Sequence, residues 1–241
     1  MSTLQAELAR LYGQESKAQA DANGPVRALV LELARPADWT ALSAVWRGVQ
    51  ADLDLPAPAI AVNGTDGYQL WFSLTDPITV ADARALLEAL RKRYLDAVPL
   101  ARIGLFPAVD DGAKTIRHAA TVPAPQPQTG HWSAFLAPDL ASIFVDEPWL
   151  EREPSQEAQA GVLAGLKSIK PAEFHRVLQQ LRPAGAATAA PVASDTMATA
   201  ASTQTGNLQP RQFLRDVMNN PAVELHLRIA AAKALLPYCS D

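Results

Sequence analysis

The segment from Ala59 to Pro77, AIAVNGTDGYQLWFSLTDP, predicts the element around which the fold is built. It contains a short apolar run at 59–62, a set of turn residues at 63–67 and an aromatic-rich run at 68–74. Two β-prone runs that flank a glycine-containing turn are typical of a β-hairpin. Asp76 and Pro77 are expected to end the second strand, because proline cannot donate a hydrogen bond to a sheet. On these residues alone, the hairpin can be an ordinary part of the core.

Apolar patterns on both sides of the hairpin predict an α+β domain over residues 1–182. Residues 26–33, VRALVLEL, are apolar almost throughout, which is typical of a buried strand. Asp38, Thr79 and Ser155 are suited to cap the helices that follow them. The remaining predicted elements are helices at 3–20, 39–53, 80–95, 156–166 and 172–181, and strands at 101–109, 114–122 and 132–136.

The composition excludes several classes of protein. The chain of 241 residues has a net charge of −4 and an isoelectric point near 5.6, so nucleic-acid binding would need a local basic patch. Its one cysteine, Cys239, rules out a disulfide framework or a cysteine-based zinc site within one chain. The first residues do not resemble a secretory signal, and no apolar run approaches the ~20 residues that cross a bilayer. We therefore expect a cytoplasmic protein with no membrane contact.

Residues 183–241 differ from the rest of the chain in composition. Residues 183–207 are rich in alanine, threonine, proline and serine with almost no large apolar side chains, which predicts a flexible linker. Residues 208–241 form a predicted helical tail with helices at 209–219 and 223–236. Two amphipathic helices on a tether suit docking to a protein partner or self-association through residues 208–238. The alternative is a helical hairpin that packs back on the main domain.

Three short motifs within residues 26–155 carry a family resemblance. They are NGTDGYQLWF at 63–72, followed by Asp76-Pro77 and a helix; LFPAVD at 105–110; and TGHWSAF at 129–135. Together they resemble archaeo-eukaryotic-type primase–polymerases of bacteria, plasmids and phages. The resemblance implies an RRM-like mixed or antiparallel sheet with flanking helices, a role in DNA metabolism or mobile-element biology, and DNA or a nucleotide as partner. The tail is similar to a helical segment of some phage terminase small subunits.

The motifs depart from that family at its catalytic positions. The family carries an acidic pair on the strand before the long helix, and the pair binds divalent metals. Here that strand offers only Glu32, with apolar residues at 31, 33 and 34. The family's nucleotide-binding histidine falls on Gln69, which can donate a hydrogen bond to a phosphate but carries no charge. The position of a turn serine falls on Asn63. The resemblance therefore implies a scaffold that has lost the polymerase site.

Other polar residues offer a rearranged site. Glu32, Asp66 and Asp110 are candidates for an acidic site that would use Mg²⁺ or Mn²⁺, although Asp110 and Asp111 also suit a solvated turn. The candidates for binding a nucleotide or phosphate are Asn63, Gln69, Lys114, Arg117 and His118. The four histidines lack the spacing of metal ligands, so we assign no metal site. Tyr68, Trp71 and Trp132 can stack on bases or simply fill the core.

Three hypotheses follow from these residues. The first is a non-catalytic primase-like accessory or binding protein, tethered to a partner-binding tail. The second is a divergent metal-dependent nucleotidyltransferase with the rearranged acidic site. The third is a structural protein–protein interaction module, which agrees with the acidic isoelectric point. We expect no cofactor unless the second hypothesis holds.

Overall fold

The first strand and the predicted hairpin form the centre of an antiparallel sheet. The computed structural model describes residues 2–13, 25–110 and 115–181. The five-stranded sheet has the order β4-β1-β3-β2-β7, and every pairing in it is antiparallel. The elements are α1 (Thr3–Tyr12), β1 (Val26–Ala34), α2 (Trp39–Ala51), β2 (Ala59–Val62), β3 (Gly67–Ile78), α3 (Val80–Tyr94), β4 (Ile103–Phe106), β5 (Ala108–Asp110), β6 (Thr115–Arg117), β7 (Ala134–Leu136), α4 (Gln156–Ala164) and α5 (Pro171–Leu181).

The α+β class is confirmed, and so are the hairpin and the helix caps. The carboxylate of Asp38 accepts a hydrogen bond from the Ala41 N–H at 2.9 Å, and the Thr79 hydroxyl accepts one from the Asp82 N–H at 3.1 Å. Ser155 likewise accepts from the N–H of Ala158. These caps begin α2, α3 and α4 where the polar residue precedes the apolar periodicity.

The predicted end of the hairpin at Asp76-Pro77 is wrong, because β3 continues to Ile78. Ile78 pairs with Val26, whereas Ser73 pairs with Ala28, so β3 has extra residues between these two pairings. Pro77 lies in this irregular stretch, where its missing N–H removes no regular ladder hydrogen bond.

The predicted strand at 101–109 is divided between two sheets. Its first part, β4, pairs with β1 at the edge of the main sheet. After Pro107 the chain leaves that sheet, and β5 pairs with the short β6 as a separate two-stranded ribbon. The strand predicted at 114–122 is accordingly shorter, with β6 ending at Arg117.

The two faces of the main sheet bury different side chains. Alternate residues of a strand point to opposite faces. On one face, which we call the apolar face, Leu29, Leu31 and Leu33 of β1 pack in the core that includes residues of α2, α3 and α5. On the other, which we call the mixed face, Val30 and Trp71 pack with residues of α1 and α4.

Several predictions lie outside the described residues. These are the second half of the helix predicted at 3–20, the linker at 183–207 and the tail at 208–241 with its two helices. Within residues 2–13, 25–110 and 115–181, none of the helices has the length and apolar character that crossing a bilayer requires.

Candidate functional site

Glu32 and Gln69 form a pair on the mixed face. Glu32 lies directly opposite Gln69 in the pairing of β1 with β3. The Nε2 of Gln69 donates a hydrogen bond to Oε2 of Glu32 at 2.6 Å. Gln69 is buried, with 3% of its surface exposed, and Glu32 is half-buried. The sheet therefore brings into contact two candidate residues that lie 37 positions apart in the chain.

Trp71 fixes the orientation of the Gln69 amide. The indole Nε1 of Trp71 donates a hydrogen bond to Oε1 of Gln69 at 2.8 Å. An indole N–H can only donate, so the Gln69 oxygen must face Trp71 and the Gln69 NH₂ group must face Glu32. The three side chains form a hydrogen-bond chain with one direction, from Trp71 through Gln69 to Glu32.

The pair lies at the wall of a polar pocket of about 180 Å³. Asn63, Thr65, Gln126 and Ser133 also line this pocket. A smaller, mainly apolar cavity of about 70 Å³ adjoins it and is lined in part by Leu8, Tyr12, Trp71 and His118. The lining residues that the two spaces share are Phe106, Thr121 and Val122. The mixed face thus offers a polar compartment beside an apolar one.

Gly104 lies beside Glu32 and Phe106. Gly104 of β4 is the residue opposite Glu32 on the other side of β1. A Cβ atom at position 104 would lie 3.2 Å from the Glu32 Cβ, 3.5 Å from its Oε1 and 3.0 Å from Cε2 of Phe106. Any side chain there would therefore crowd the aromatic ring and the Cβ of Glu32, whereas its contact with the carboxylate oxygen would be an ordinary one. Within the described part of the chain, no residue donates a hydrogen bond to Oε1.

Asn63 uses its side chain to hold the hairpin turn. Its Oδ1 accepts the backbone N–H groups of Thr65, Asp66 and Gly67 at 2.9, 3.0 and 3.0 Å. Its Nδ2 donates to the carboxylate of Asp66, which is exposed. Asn63 lines the polar pocket, but its amide is engaged in an Asx-type turn rather than directed to a ligand.

The basic candidates lie near Phe106. The guanidinium of Arg117 lies 5.4 Å from the centre of the Phe106 ring, in a cation–π contact. His118 lines the apolar cavity, and both side chains are exposed. Arg117 therefore offers a cation, and His118 an imidazole ring, at the margin of the pockets.

Of the acidic candidates, Glu32 and Asp66 belong to no metal site in what the structure describes, and the side chain of Asp110 lies outside it. Asp110 lies on the β5–β6 ribbon, where its backbone pairs with that of Thr115. Lys114, a candidate phosphate ligand, lies outside the described residues. Among the side chains that the structure describes, those of residues 2–13, 25–109 and 116–181, no three from histidine, cysteine, aspartate or glutamate form a group that could hold a metal ion.

The stacking candidates Tyr68 and Trp71 lie on opposite faces of the sheet, because side chains alternate along β3. Tyr68 points to the apolar face, where its hydroxyl donates a hydrogen bond to the backbone oxygen of Ala141 at 2.6 Å. Burial, together with the nearby Asp146 carboxylate, raises the pKa of Tyr68 to about 12. Trp71 points to the mixed face and belongs to the site. The period-two pattern of β3 carries this distinction in the sequence, since positions 69 and 71 share a face that position 68 does not.

Sequence reasoning missed Gly104, Gln126 and Ser133. Gly104 reaches the site through the pairing of β4 with β1, and the other two through the loop before β7. No local signal marks these residues, because strand order and loop placement bring them to the pocket.

Comparison with known proteins assigns the chain to no family. No protein-family model matches it, and no curated protein is significantly similar to it. The primase–polymerase resemblance therefore depends on the three motifs quoted above.

Proposed function

We propose that this domain is a non-catalytic, primase-like accessory protein of DNA metabolism that holds single-stranded DNA against the mixed face. The observation that supports it is the Glu32–Gln69 pair, at the wall of a polar pocket that adjoins an aromatic, apolar cavity. A base needs both environments, because its ring is apolar on its faces and polar at its edge.

The surroundings of Glu32 favour binding over nucleotidyl transfer. Transfer by two metal ions needs carboxylates that share those ions. The next residues of β1 on the same face are Val30 and Ala34, and the residues across the strand are Gly104 and Gln69. One oxygen of Glu32 already accepts a short hydrogen bond from Gln69. A lone carboxylate in these surroundings is suited to recognise a donor group on a ligand.

The charge distribution favours a small, local contact with the DNA backbone. The whole chain has a net charge of −4, so long-range attraction to DNA is not expected. Arg27, Arg117 and His118 lie around the cavity at the mixed face. Two phosphate contacts from this group would give a salt dependence of about −1.4 in a log–log plot for single strands.

The test is binding of a fluorescent single-stranded oligonucleotide at several salt concentrations. Arg117→Ala should weaken binding and reduce the slope by about 0.7, the loss of one phosphate contact. Lys92→Ala is the matched control, because it removes an exposed cation from α3, which packs on the apolar face. A slope near zero for the unaltered chain, or equal effects of the two variants, would overturn the proposal. Absence of binding would favour the hypothesis of an interaction module instead.

A primer-synthesis assay separates this proposal from the nucleotidyltransferase hypothesis. The chain is incubated with template, primer and nucleotides in Mg²⁺ or Mn²⁺, beside Glu32→Ala. We expect no incorporation above background with either protein. Incorporation that Glu32→Ala abolishes would replace the binding function with a catalytic one.

A further inference from the structure

The apolar cavity on the mixed face differs in charge from the polar pocket beside it. Its wall is mainly apolar and includes Leu8, Val30 and Trp71. Of the described residues that line it, none is acidic, whereas Glu32 lines the polar pocket. Arg27, whose side chain is always charged, also lines the cavity. The cavity therefore combines apolar walls with a permanent positive charge.

Arg27 is oriented by the protein but keeps hydrogen-bond donors available. Its Nε donates to the backbone oxygen of Leu74 at 3.2 Å, and the side chain is half-buried. Within the described part of the chain, its two terminal nitrogens donate no hydrogen bond, and no carboxylate pairs with them. An oriented guanidinium with free N–H groups is suited to bind a carboxylate.

Tyr12 provides a second donor at the same cavity. Tyr12 is buried, with 6% of its surface exposed, yet no described residue forms a hydrogen bond with its hydroxyl. A buried phenol usually has such a partner. Burial raises the pKa of Tyr12, so the hydroxyl keeps its proton and can donate. A Cβ atom on the next residue, Gly13, would lie 3.7 Å from Cδ of Arg27, which places the two donors near each other.

The number of donors and the size of the cavity limit the ligand. A carboxylate has two oxygens, which Arg27 and Tyr12 can both reach as donors, whereas a phosphate group brings three acceptor oxygens that an apolar cavity would leave without partners. An apolar cavity of about 150 Å³ holds one benzene ring. A cavity of about 70 Å³ therefore suits a short aliphatic chain better than a ring.

We propose that the apolar cavity binds a short-chain aliphatic carboxylate. The carboxylate accepts hydrogen bonds from the guanidinium of Arg27 and the hydroxyl of Tyr12. The aliphatic chain packs against Leu8, Val30 and Trp71, which lie in the cavity wall. This site goes beyond the proposed function, because the acid is recognised within the cavity and its binding needs no DNA.

The test measures binding of butanoate, butanamide and butylamine to the full chain by isothermal titration calorimetry at constant ionic strength. The three compounds have four carbons each and differ in the polar group. We expect butanoate to bind, butanamide to bind about tenfold more weakly because it lacks charged hydrogen bonds, and butylamine not to bind measurably. The inference is overturned if butanoate does not bind, binds no more tightly than butanamide, or binds no more tightly than butylamine.

Substitutions assign the binding to the two donors. Arg27→Gln should remove the preference for butanoate over butanamide. Tyr12→Phe should weaken butanoate binding about fivefold, the effect of one hydrogen bond. Lys92→Gln is the matched control, since it removes an exposed cation of α3 on the apolar face and should leave binding unchanged. Equal effects of Arg27→Gln and Lys92→Gln would place the acid elsewhere and overturn the inference.

A series of acids tests the cavity on the unaltered protein, in case Arg27→Gln folds poorly. From acetate through propanoate to butanoate, the affinity should rise about fourfold for each added CH₂ group. Benzoate, whose ring exceeds the cavity, should bind more weakly than butanoate. Affinities that do not change along the series, or tighter binding of benzoate, would contradict the proposed site. None of these measurements involves DNA, so their failure leaves the proposed function standing.

Discussion

The two faces of the main sheet carry different side chains, although the same strands form both faces. The apolar face carries Leu31 and Leu33 from β1 and Leu70 and Phe72 from β3, and helices cover it. On the mixed face, β1 and β3 contribute Glu32 and Gln69 between apolar neighbours. A half-buried carboxylate and a buried amide cost desolvation that leucine would not. Both faces therefore contribute an apolar core, and the mixed face also carries a polar pair whose desolvation costs stability.

The largest expected effect on stability comes from a substitution on the apolar face. Leu31 is fully buried, so Leu31→Ala should lower the free energy of unfolding by about 2–5 kcal/mol through lost burial and a cavity. Val30→Ala, the adjacent position on the mixed face, removes fewer atoms and should cost less. Urea denaturation of both variants measures the difference. A larger loss for Val30→Ala would mean that the mixed face, and not the apolar one, dominates stability.

A smaller effect is expected from breaking the hydrogen-bond chain. Gln69→Leu leaves the Trp71 N–H without its acceptor in a buried position, which should cost about 1–3 kcal/mol. The double variant Gln69→Leu/Trp71→Phe removes donor and acceptor together. A double-mutant cycle, which also includes Trp71→Phe, should show a favourable coupling between the two substitutions. Simple additivity would indicate that the hydrogen bond contributes little.

The smallest effect at neutral pH is expected from Tyr68→Phe, which removes the hydrogen bond to Ala141 and should cost about 1 kcal/mol. Its effect on alkaline unfolding is more informative. Because the folded pKa of Tyr68 is raised from 10.0 to about 12, the neutral phenol stabilises the fold fully below pH 10, and this stability is lost as the pH rises towards the folded value. Tyr68→Phe should therefore lose less stability than the unaltered chain between these pH values.

Tyr12 allows the same measurement of alkaline stability on the mixed face. Burial raises its pKa also, against a smaller opposing effect of Arg10, so it adds to the alkaline loss of stability in the same direction. Denaturation curves at neutral and alkaline pH for Tyr12→Phe and Tyr68→Phe would compare the faces directly. Identical pH dependence of both variants and the unaltered chain would contradict these shifts.

Local patterns explain why much of the fold could be predicted. The turn residues at 63–67 form the hairpin turn because Asn63 binds three successive N–H groups, a contact within the segment itself. The caps at Asp38 and Thr79 depend on residues three positions away. Such interactions need no knowledge of the rest of the chain. The continuation of β3 past Pro77 and the change of sheet at Pro107 depend instead on pairing with distant strands.

The candidate site likewise combines features that local sequence can predict with features that depend on distant strands. The family resemblance makes Glu32, Gln69 and Asn63 candidates, but the contact between the first two depends on the register of β1 against β3. The orientation of the Gln69 amide depends on Trp71, which is two residues further along the same strand. The alternation of side chains along β3 could have identified Trp71 as the neighbour of Gln69, because both residues lie on the same face. Gly104 could not be found in this way, because its place opposite Glu32 follows from strand order.

The close approach at Gly64 sets a criterion for recognising relatives of this chain. Gly64 has a φ of +83°, and a Cβ atom there would lie 2.8 Å from the Ser133 nitrogen and 2.9 Å from the Gln126 side chain. Any other residue would push the loop before β7 away from the hairpin and open the wall of the polar pocket. A homologue that keeps the pocket should therefore keep glycine at this position, even where the residues equivalent to Glu32 and Gln69 have changed with the ligand.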